Sequence, residues 1–102
     1  MIVVQGSLKM AVGEIDRLTE AALAMVAATH KETGCIAYTF SRDLADPDTF
    51  VIFEIWTDDD ALAAHFQTPH MATFNAAMAG TQRLSGSVKS YTAEFQRTLM
   101  GE

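Results

Sequence analysis

Two side chains that can transfer protons lie on consecutive predicted elements of the chain. Glu54 lies within the apolar strand-like stretch 50–56, and His65 lies in the helix-like stretch that follows it. An imidazole titrates near neutral pH and so suits a general base. Burial raises the pKa of a carboxyl group such as that of Glu54 unless the group is paired. The residue types therefore indicate acid–base chemistry, with His65 as the candidate base and Glu54 as a second candidate. Glu54 could instead orient His65 or bridge two copies of the chain.

Further side chains around these two are candidates to bind an organic substrate. The Trp56 ring shares a strand face with Glu54 and could stack on an aromatic molecule while its indole N–H donates a hydrogen bond. The other candidates come from the second strand and from the interrupted second helix, namely Tyr38, Phe66, His70 and Asn75. Each also has a structural interpretation. Trp56 and Tyr38 can be core residues, and His70 can satisfy backbone groups beside the Thr68-Pro69 break.

The histidines and the cysteine show no metal-binding spacing. His30, His65 and His70 form no HxxH or HxxxH pair, and Cys35 has no CxxC partner. The chain also lacks a GxGxxG or P-loop motif. We therefore expect no metal, no nucleotide cofactor and no other cofactor.

The elements that must position these residues follow from hydrophobic periodicity. Apolar residues recur at helical spacing over 14–29. Over 35–42 the spacing is that of a strand, with Ile36, Tyr38 and Phe40 on one face. The second helix begins at Thr57 or Asp58 and is broken at Thr68-Pro69. In order, the predicted elements are a strand 2–9, a helix 14–29, strands 35–42 and 50–56, a broken helix ending before Gly80, a polar loop 81–86 and a strand 88–95. This βαββαβ order predicts one α+β domain over 1–102, a ferredoxin-like plait with a four-stranded antiparallel sheet and two helices on one face.

Composition limits the partners. The 102 residues carry a formal net charge of −6 and 49% hydrophobic content, so nucleic acid and anionic membrane surfaces are disfavoured partners. No stretch is long and apolar enough to span a bilayer, and the first ten residues lack the features of a secretion signal. With a single cysteine, these features favour a cytoplasmic protein.

The third strand is apolar on both faces. Phe50, Ile52 and Trp56 point to one side, and Val51, Phe53 and Ile55 to the other. Helices on one side of the sheet leave the other face bare, and a bare apolar face of this size favours a homodimer packed sheet against sheet. The alternative is a monomer with a moderately apolar exposed face.

An ordered set of short motifs resembles the antibiotic biosynthesis monooxygenase superfamily, and within it the small quinol monooxygenases. The motifs are E-x-G-C-x-x-Y from Glu32, D-P at Asp46, F-x-x-x-E-x-W from Phe50, A-L-x-x-H from Ala61 and P-H at Pro69. The resemblance implies a dimeric α+β barrel whose subunits each hold a pocket between sheet and helices. It also implies direct reaction of a deprotonated phenolic or enolic substrate with O₂, without metal, flavin or haem.

Haem-degrading relatives carry an Asn on the first strand, a Trp on the second helix and a later His. This chain has Gln5 and Ser7, then His65, then Asn75 at those places, so we expect no haem chemistry.

The sequence thus predicts a cofactor-independent monooxygenase that oxidises a small quinol or polyphenol with O₂. An isomerase or lyase of a small enolisable metabolite is one alternative. A non-catalytic dimeric module that binds an aromatic ligand, for example in a stress response, is another.

Overall fold

The structure is a computed structural model that describes residues 1–102. Four strands and three helices follow one another along the chain. They are β1 (Ile2–Met10), α1 (Glu14–Thr29), β2 (Cys35–Arg42), β3 (Thr49–Trp56), α2 (Asp59–His65), α3 (Pro69–Ala79) and β4 (Arg83–Thr92).

The strands form one antiparallel sheet in the order β2-β3-β1-β4. The central pair β1–β3 runs in register from Ile2 opposite Trp56 to Lys9 opposite Thr49. β4 pairs with the other edge of β1. This is the ferredoxin-like α+β plait that the sequence predicts, with the second helix present as two segments, α2 and α3.

Local signals set the helix ends. The Asp58 side chain accepts a hydrogen bond from the backbone N–H of Ala61 at 2.8 Å and so caps α2. The Thr68 hydroxyl accepts one from the N–H of Met71 at 3.2 Å and caps α3, whose first residue is Pro69. The break predicted at Thr68-Pro69 is confirmed, although α3 begins at the proline itself.

The core lies between the helices and the inner face of the sheet. The buried apolar residues of the helices follow the predicted 3.6-residue period, and those of β1 and β3 follow the strand period of two. This core consists of Val4, Leu8, Met10, Ile15, Leu18, Ala22, Met25, Tyr38, Phe50, Ile52, Trp56, Leu62 and Phe74. Burial of these side chains holds the helices on one face of the sheet.

Two sequence predictions about the edge strands are wrong. The pairing of β2 with β3 shifts register between Cys35 and Ala37, so Ile36 is 55% exposed instead of sharing the inward face with Tyr38 and Phe40.

The last strand covers Arg83–Thr92, where the sequence predicts a loop over 81–86 and a strand over 88–95. β1 imposes this range, because its ladder extends from Ile2 opposite Thr92 to Met10 opposite Arg83 and overrides the weak strand propensity of the Ser- and Gly-rich segment.

The sheet keeps a large uncovered surface in this single chain. All residues of β4 are exposed, and on the outer face of β3 Phe53 is exposed while Val51 and Ile55 are half-buried. The helices therefore cover mainly the β2, β3 and β1 part of the inner face. None of the three helices has both the length and the apolar character needed to cross a membrane.

Candidate functional site

A cavity of about 500 Å³ lies between the inner face of the sheet and the helices α2 and α3. The sheet contributes Tyr38 and Glu54, and α3 contributes Phe74 and Asn75. Phe66, which directly follows α2, and residues of β4 supply the remaining wall. Ten of its 16 lining residues are hydrophobic, so it suits an organic molecule with few polar groups. The lining residues are Val4, Tyr38, Phe40, Ile52, Glu54, Asp59, Leu62, Phe66, Met71, Phe74, Asn75, Met78, Arg83, Val88, Lys89 and Ser90.

Glu54 is the buried carboxyl group of this cavity. It lies on β3 next to the helices, and its Oε1 accepts a hydrogen bond from the indole Nε1–H of Trp56 at 2.9 Å. Burial raises the pKa of Glu54, while the Trp56 hydrogen bond and the nearby His65 act in the opposite direction. The raised pKa makes this carboxylate a better proton acceptor than a solvated one.

His65 lies behind the cavity wall. It is the last residue of α2 and is 1% exposed. Its Nδ1 lies 2.7 Å from Oε2 of Glu32, so the ring N–H donates to that carboxylate. Its ring packs 4.7 Å from the Trp56 ring and 5.3 Å from the Tyr38 ring, measured between centroids. The sequence predicts His65 as the base, but in the structure its ring contacts the Trp56 and Tyr38 rings and does not line the cavity.

Glu32 is a site residue that sequence reasoning missed. Its Oε2 also accepts a hydrogen bond from Nε2 of His70 at 2.7 Å, so one carboxylate oxygen joins two imidazoles. The only signal for it is its place as the first residue of the E-x-G-C-x-x-Y motif. No spacing rule connects Glu32 with His65 and His70, which lie in a different part of the chain.

Gly34 brings the loop that carries Glu32 against α2. Its φ is +89°, and a Cβ at this position would lie 2.6 Å from the Ala61 Cβ. The backbone N–H of Thr57 donates to the Gly34 carbonyl at 2.9 Å. Only glycine fits this close approach, and the approach places the Glu32 carboxylate beside the end of α2.

The remaining predicted residues divide into two groups. Tyr38, Phe66 and Asn75 line the cavity, as Glu54 does, whereas Trp56 and His70 do not. Trp56 is 0% exposed and its N–H is committed to Glu54, so it supports the site from within the core. Burial, together with the charge of Glu54, raises the pKa of Tyr38, which keeps its hydroxyl protonated and able to donate a hydrogen bond.

One cation from β4 completes the cavity lining. Arg83 lines the cavity and forms no salt bridge within the chain. Sequence reasoning did not single it out, since Arg83 fell in the predicted loop 81–86. Lys89 also borders the cavity, but it pairs with Gln5, so its side chain projects from the outer face of the sheet. The charge of Arg83 favours a substrate that carries or develops negative charge.

A second apolar pocket, of about 270 Å³, lies between α1 and β2. Tyr38 and the His30 imidazole line this pocket. Nε2 of His30 lies 2.9 Å from the Tyr38 carbonyl oxygen. No carboxylate lines it. The cavity that contains Glu54 is therefore the candidate active site.

Known proteins are similar to this chain in sequence and in fold. The family model described as antibiotic biosynthesis monooxygenase matches residues 1–77. An uncharacterized Synechocystis protein is 29% identical over 96% of this chain, which spans 67% of the length of that relative. Probable quinol monooxygenase YgiN of Escherichia coli is 38% identical over 49% of this chain and 56% of its own length.

A crystal structure from Deinococcus radiodurans, assigned to the antibiotic biosynthesis monooxygenases, superposes with a TM-score of 0.87 at 26% identity. That superposition covers 99% of this chain and 100% of the other. The family match thus covers three of the four strands, all of α1 and α2, and most of α3. The chain belongs to the antibiotic biosynthesis monooxygenase family.

Proposed function

We propose that this protein is a monooxygenase that oxidises a small quinol- or polyphenol-type aromatic with O₂. The observation that carries the proposal is a buried carboxylate, Glu54, which faces an aromatic-lined cavity in a chain of this family. The name of the YgiN relative supports the quinol class.

The first step in this mechanism is removal of a phenolic proton by Glu54. Sequence reasoning favours His65 as the base, but His65 does not line the cavity, whereas Glu54 does. His65 and Trp56 then act as positioning residues, because Trp56 donates to Glu54 and its ring packs on the His65 ring. We propose that Tyr38 and Asn75 bind the substrate by hydrogen bonds and that Phe66 packs on its ring.

The phenolate that results is the electron donor to O₂. Arg83 on the cavity wall favours this anion over the neutral phenol. One electron passes from the phenolate to O₂, which gives a substrate radical and superoxide. These two radicals combine at a ring carbon to form a peroxide. Loss of water from this peroxide leaves a carbonyl group. A quinol and O₂ thus give a hydroxylated quinone and water, and the quinol supplies every electron. The reaction balances without a cofactor or an external reductant.

Oxygen consumption tests this function directly. We expect the purified protein to accelerate O₂ uptake with at least one of a panel of quinols, catechols and anthrones, by at least about 100-fold over the uncatalysed rate, since a positioned base contributes at least that factor. An oxygen electrode gives the rate, and mass spectrometry after reaction in ¹⁸O₂ shows one labelled oxygen in the product.

An anaerobic control separates this function from the alternatives. An isomerase or lyase would turn over its substrate without O₂, and a binding module would raise its melting temperature with ligand while consuming nothing. Either outcome, with no labelled product from any compound in the panel, contradicts the monooxygenase proposal.

We also propose that the chain forms a homodimer through the open face of the sheet. The exposed Phe53 and the half-buried Val51 and Ile55 form an apolar strip on that face, and β4 is exposed throughout. Light scattering is expected to give twice the 11.1 kDa chain mass at micromolar concentration. Phe53→Lys should shift the species toward the monomer, whereas Leu44→Lys, at an exposed turn position, should not. A monomeric wild-type protein would contradict this arrangement.

We propose a cytoplasmic location, because the single cysteine, Cys35, cannot form a disulfide within the chain and so suits a reducing compartment.

A further inference from the structure

We propose that Glu32, His65 and His70 form a binding site for one divalent transition-metal ion such as Zn²⁺, separate from the cavity. Their ligand atoms, one carboxylate oxygen and two imidazole nitrogens, all lie within 4.8 Å of one another. Two histidines and one carboxylate with an open coordination position are a ligand set that zinc and iron use in proteins. The inference rests on this geometry and does not depend on the proposed oxygenase activity.

The hydrogen bonds of the cluster already orient the three groups toward a common point. Oε2 of Glu32 lies 2.7 Å from Nδ1 of His65 and 2.7 Å from Nε2 of His70. Ligand atoms around one tetrahedral zinc ion lie about 3.3 Å apart, given metal–ligand bonds of about 2.0–2.2 Å. A small outward movement of the carboxylate and an approach of the two nitrogens would therefore admit an ion. The ion would replace the two protons that the imidazole nitrogens of His65 and His70 direct at Glu32.

The backbone holds the ligands on three different segments. His65 ends α2, His70 lies in the first turn of α3, and Glu32 lies in the loop before β2. The Thr68 hydroxyl donates to the His65 carbonyl at 2.8 Å and so fixes the short turn between the two histidines. Such a preorganised set loses little conformational entropy when an ion binds.

Solvent reaches the cluster from one side. The side chain of His70 is 24% exposed, that of Glu32 14% exposed and that of His65 1% exposed. An ion can therefore arrive past His70, and water can complete its coordination there. His65 and His70 do not line the cavity, so the ion would bind behind the reaction space.

A titration with Co²⁺ tests the site through the single tryptophan of the chain. Trp56 lies next to His65, with ring centroids 4.7 Å apart, and Co²⁺ with its partly filled d shell quenches an indole at such a distance. We expect saturable quenching at one Co²⁺ per chain, with visible absorption bands of nitrogen-coordinated cobalt. Zn²⁺, which does not quench, should reverse both signals. Binding should weaken as pH falls, because protons compete for the imidazole nitrogens.

Substitutions locate the binding. Glu32→Gln preserves the size of the side chain and an acceptor oxygen for the two imidazoles, and His70→Gln changes a partly exposed position, so both variants are expected to fold. Each should weaken Co²⁺ binding by at least about 100-fold, because each removes a direct ligand. His30→Gln, outside the cluster, should bind as the wild type does.

No quenching up to 100-fold molar excess of Co²⁺, or equal binding by wild type, Glu32→Gln and His70→Gln, would overturn the site. Loss of binding in His30→Gln would also overturn it, since the ion would then lie elsewhere.

Discussion

Glu54→Gln is expected to lower kcat for the quinol oxidation by at least about 100-fold, the usual contribution of a positioned general base. The amide keeps the shape of the carboxyl group, and its oxygen still accepts the Trp56 N–H hydrogen bond. The cavity therefore keeps its form while it loses its proton acceptor. KM should change little, because the substrate contacts from Tyr38, Phe66 and Asn75 remain. Oxygen uptake under saturating substrate measures the effect.

The same substitution is expected to stabilise the fold at neutral pH. Burial raises the pKa of Glu54 above its ordinary value, so the folded state binds this proton more tightly than the unfolded state does. Ionised Glu54 therefore destabilises the wild type at high pH, and the penalty disappears as pH falls below the folded-state pKa. The charged groups that act on it are Glu32 and His65, and Trp56 donates to it. The melting temperature of Glu54→Gln should exceed that of wild type at pH 8, and the difference should shrink toward pH 4.

Glu20→Gln is the matched control, because Glu20 is an exposed carboxylate on α1, a helix that contributes no residue to the cavity lining. It should leave both kcat and the melting temperature unchanged. A Glu54→Gln variant that retains more than half of the wild-type kcat would remove Glu54 as the base. If the variant instead lost activity and stability together, a structural role would explain the result.

The elements of this fold could be predicted because each carries a strong local pattern. The α1 range 14–29 and the β2 range 35–42 agree with the structure residue for residue. Alternation along β3 correctly predicts that Glu54 and Trp56 share the inner face with Phe50 and Ile52, which are all buried. One carboxylate on an otherwise apolar strand face was enough to single out Glu54.

The parts that could not be predicted depend on contacts between distant segments. Glu32 meets His65 and His70 only after α1 and α2 pack against the sheet, so no sequence spacing reports the cluster. The range of β4 depends on the ladder that β1 offers, and its own residues are mostly polar. Histidine type favoured His65 as the base, but whether a side chain faces the cavity or the core depends on packing that periodicity does not resolve.

Gly6→Ala is expected to lower the free energy of unfolding by about 3 kcal/mol, at the upper end of the usual cost of overpacking. Gly6 is buried on β1, opposite Val88 of β4. A Cβ at this position would lie 2.2 Å from the Ser87 carbonyl oxygen and 2.6 Å from the Val88 Cα. Both are backbone atoms, so no side chain can rotate away, and β4 itself must move. Urea denaturation followed by circular dichroism measures the loss.

Movement of β4 also changes the site, because Val88, Lys89 and Ser90 line the cavity. We therefore expect KM for the quinol to rise in Gly6→Ala under conditions where the variant is fully folded. Gly80→Ala is the control, since a Cβ there would lie at an ordinary 3.5 Å from the Ala77 carbonyl oxygen and the backbone φ of −83° suits alanine. It should stay within about 0.5 kcal/mol of wild type with unchanged KM. If Gly6→Ala unfolds at the same urea concentration as Gly80→Ala, β4 does not pack on β1 as closely as the structure places it. In that case β4 would not enclose the cavity at Val88 and Ser90 as described above.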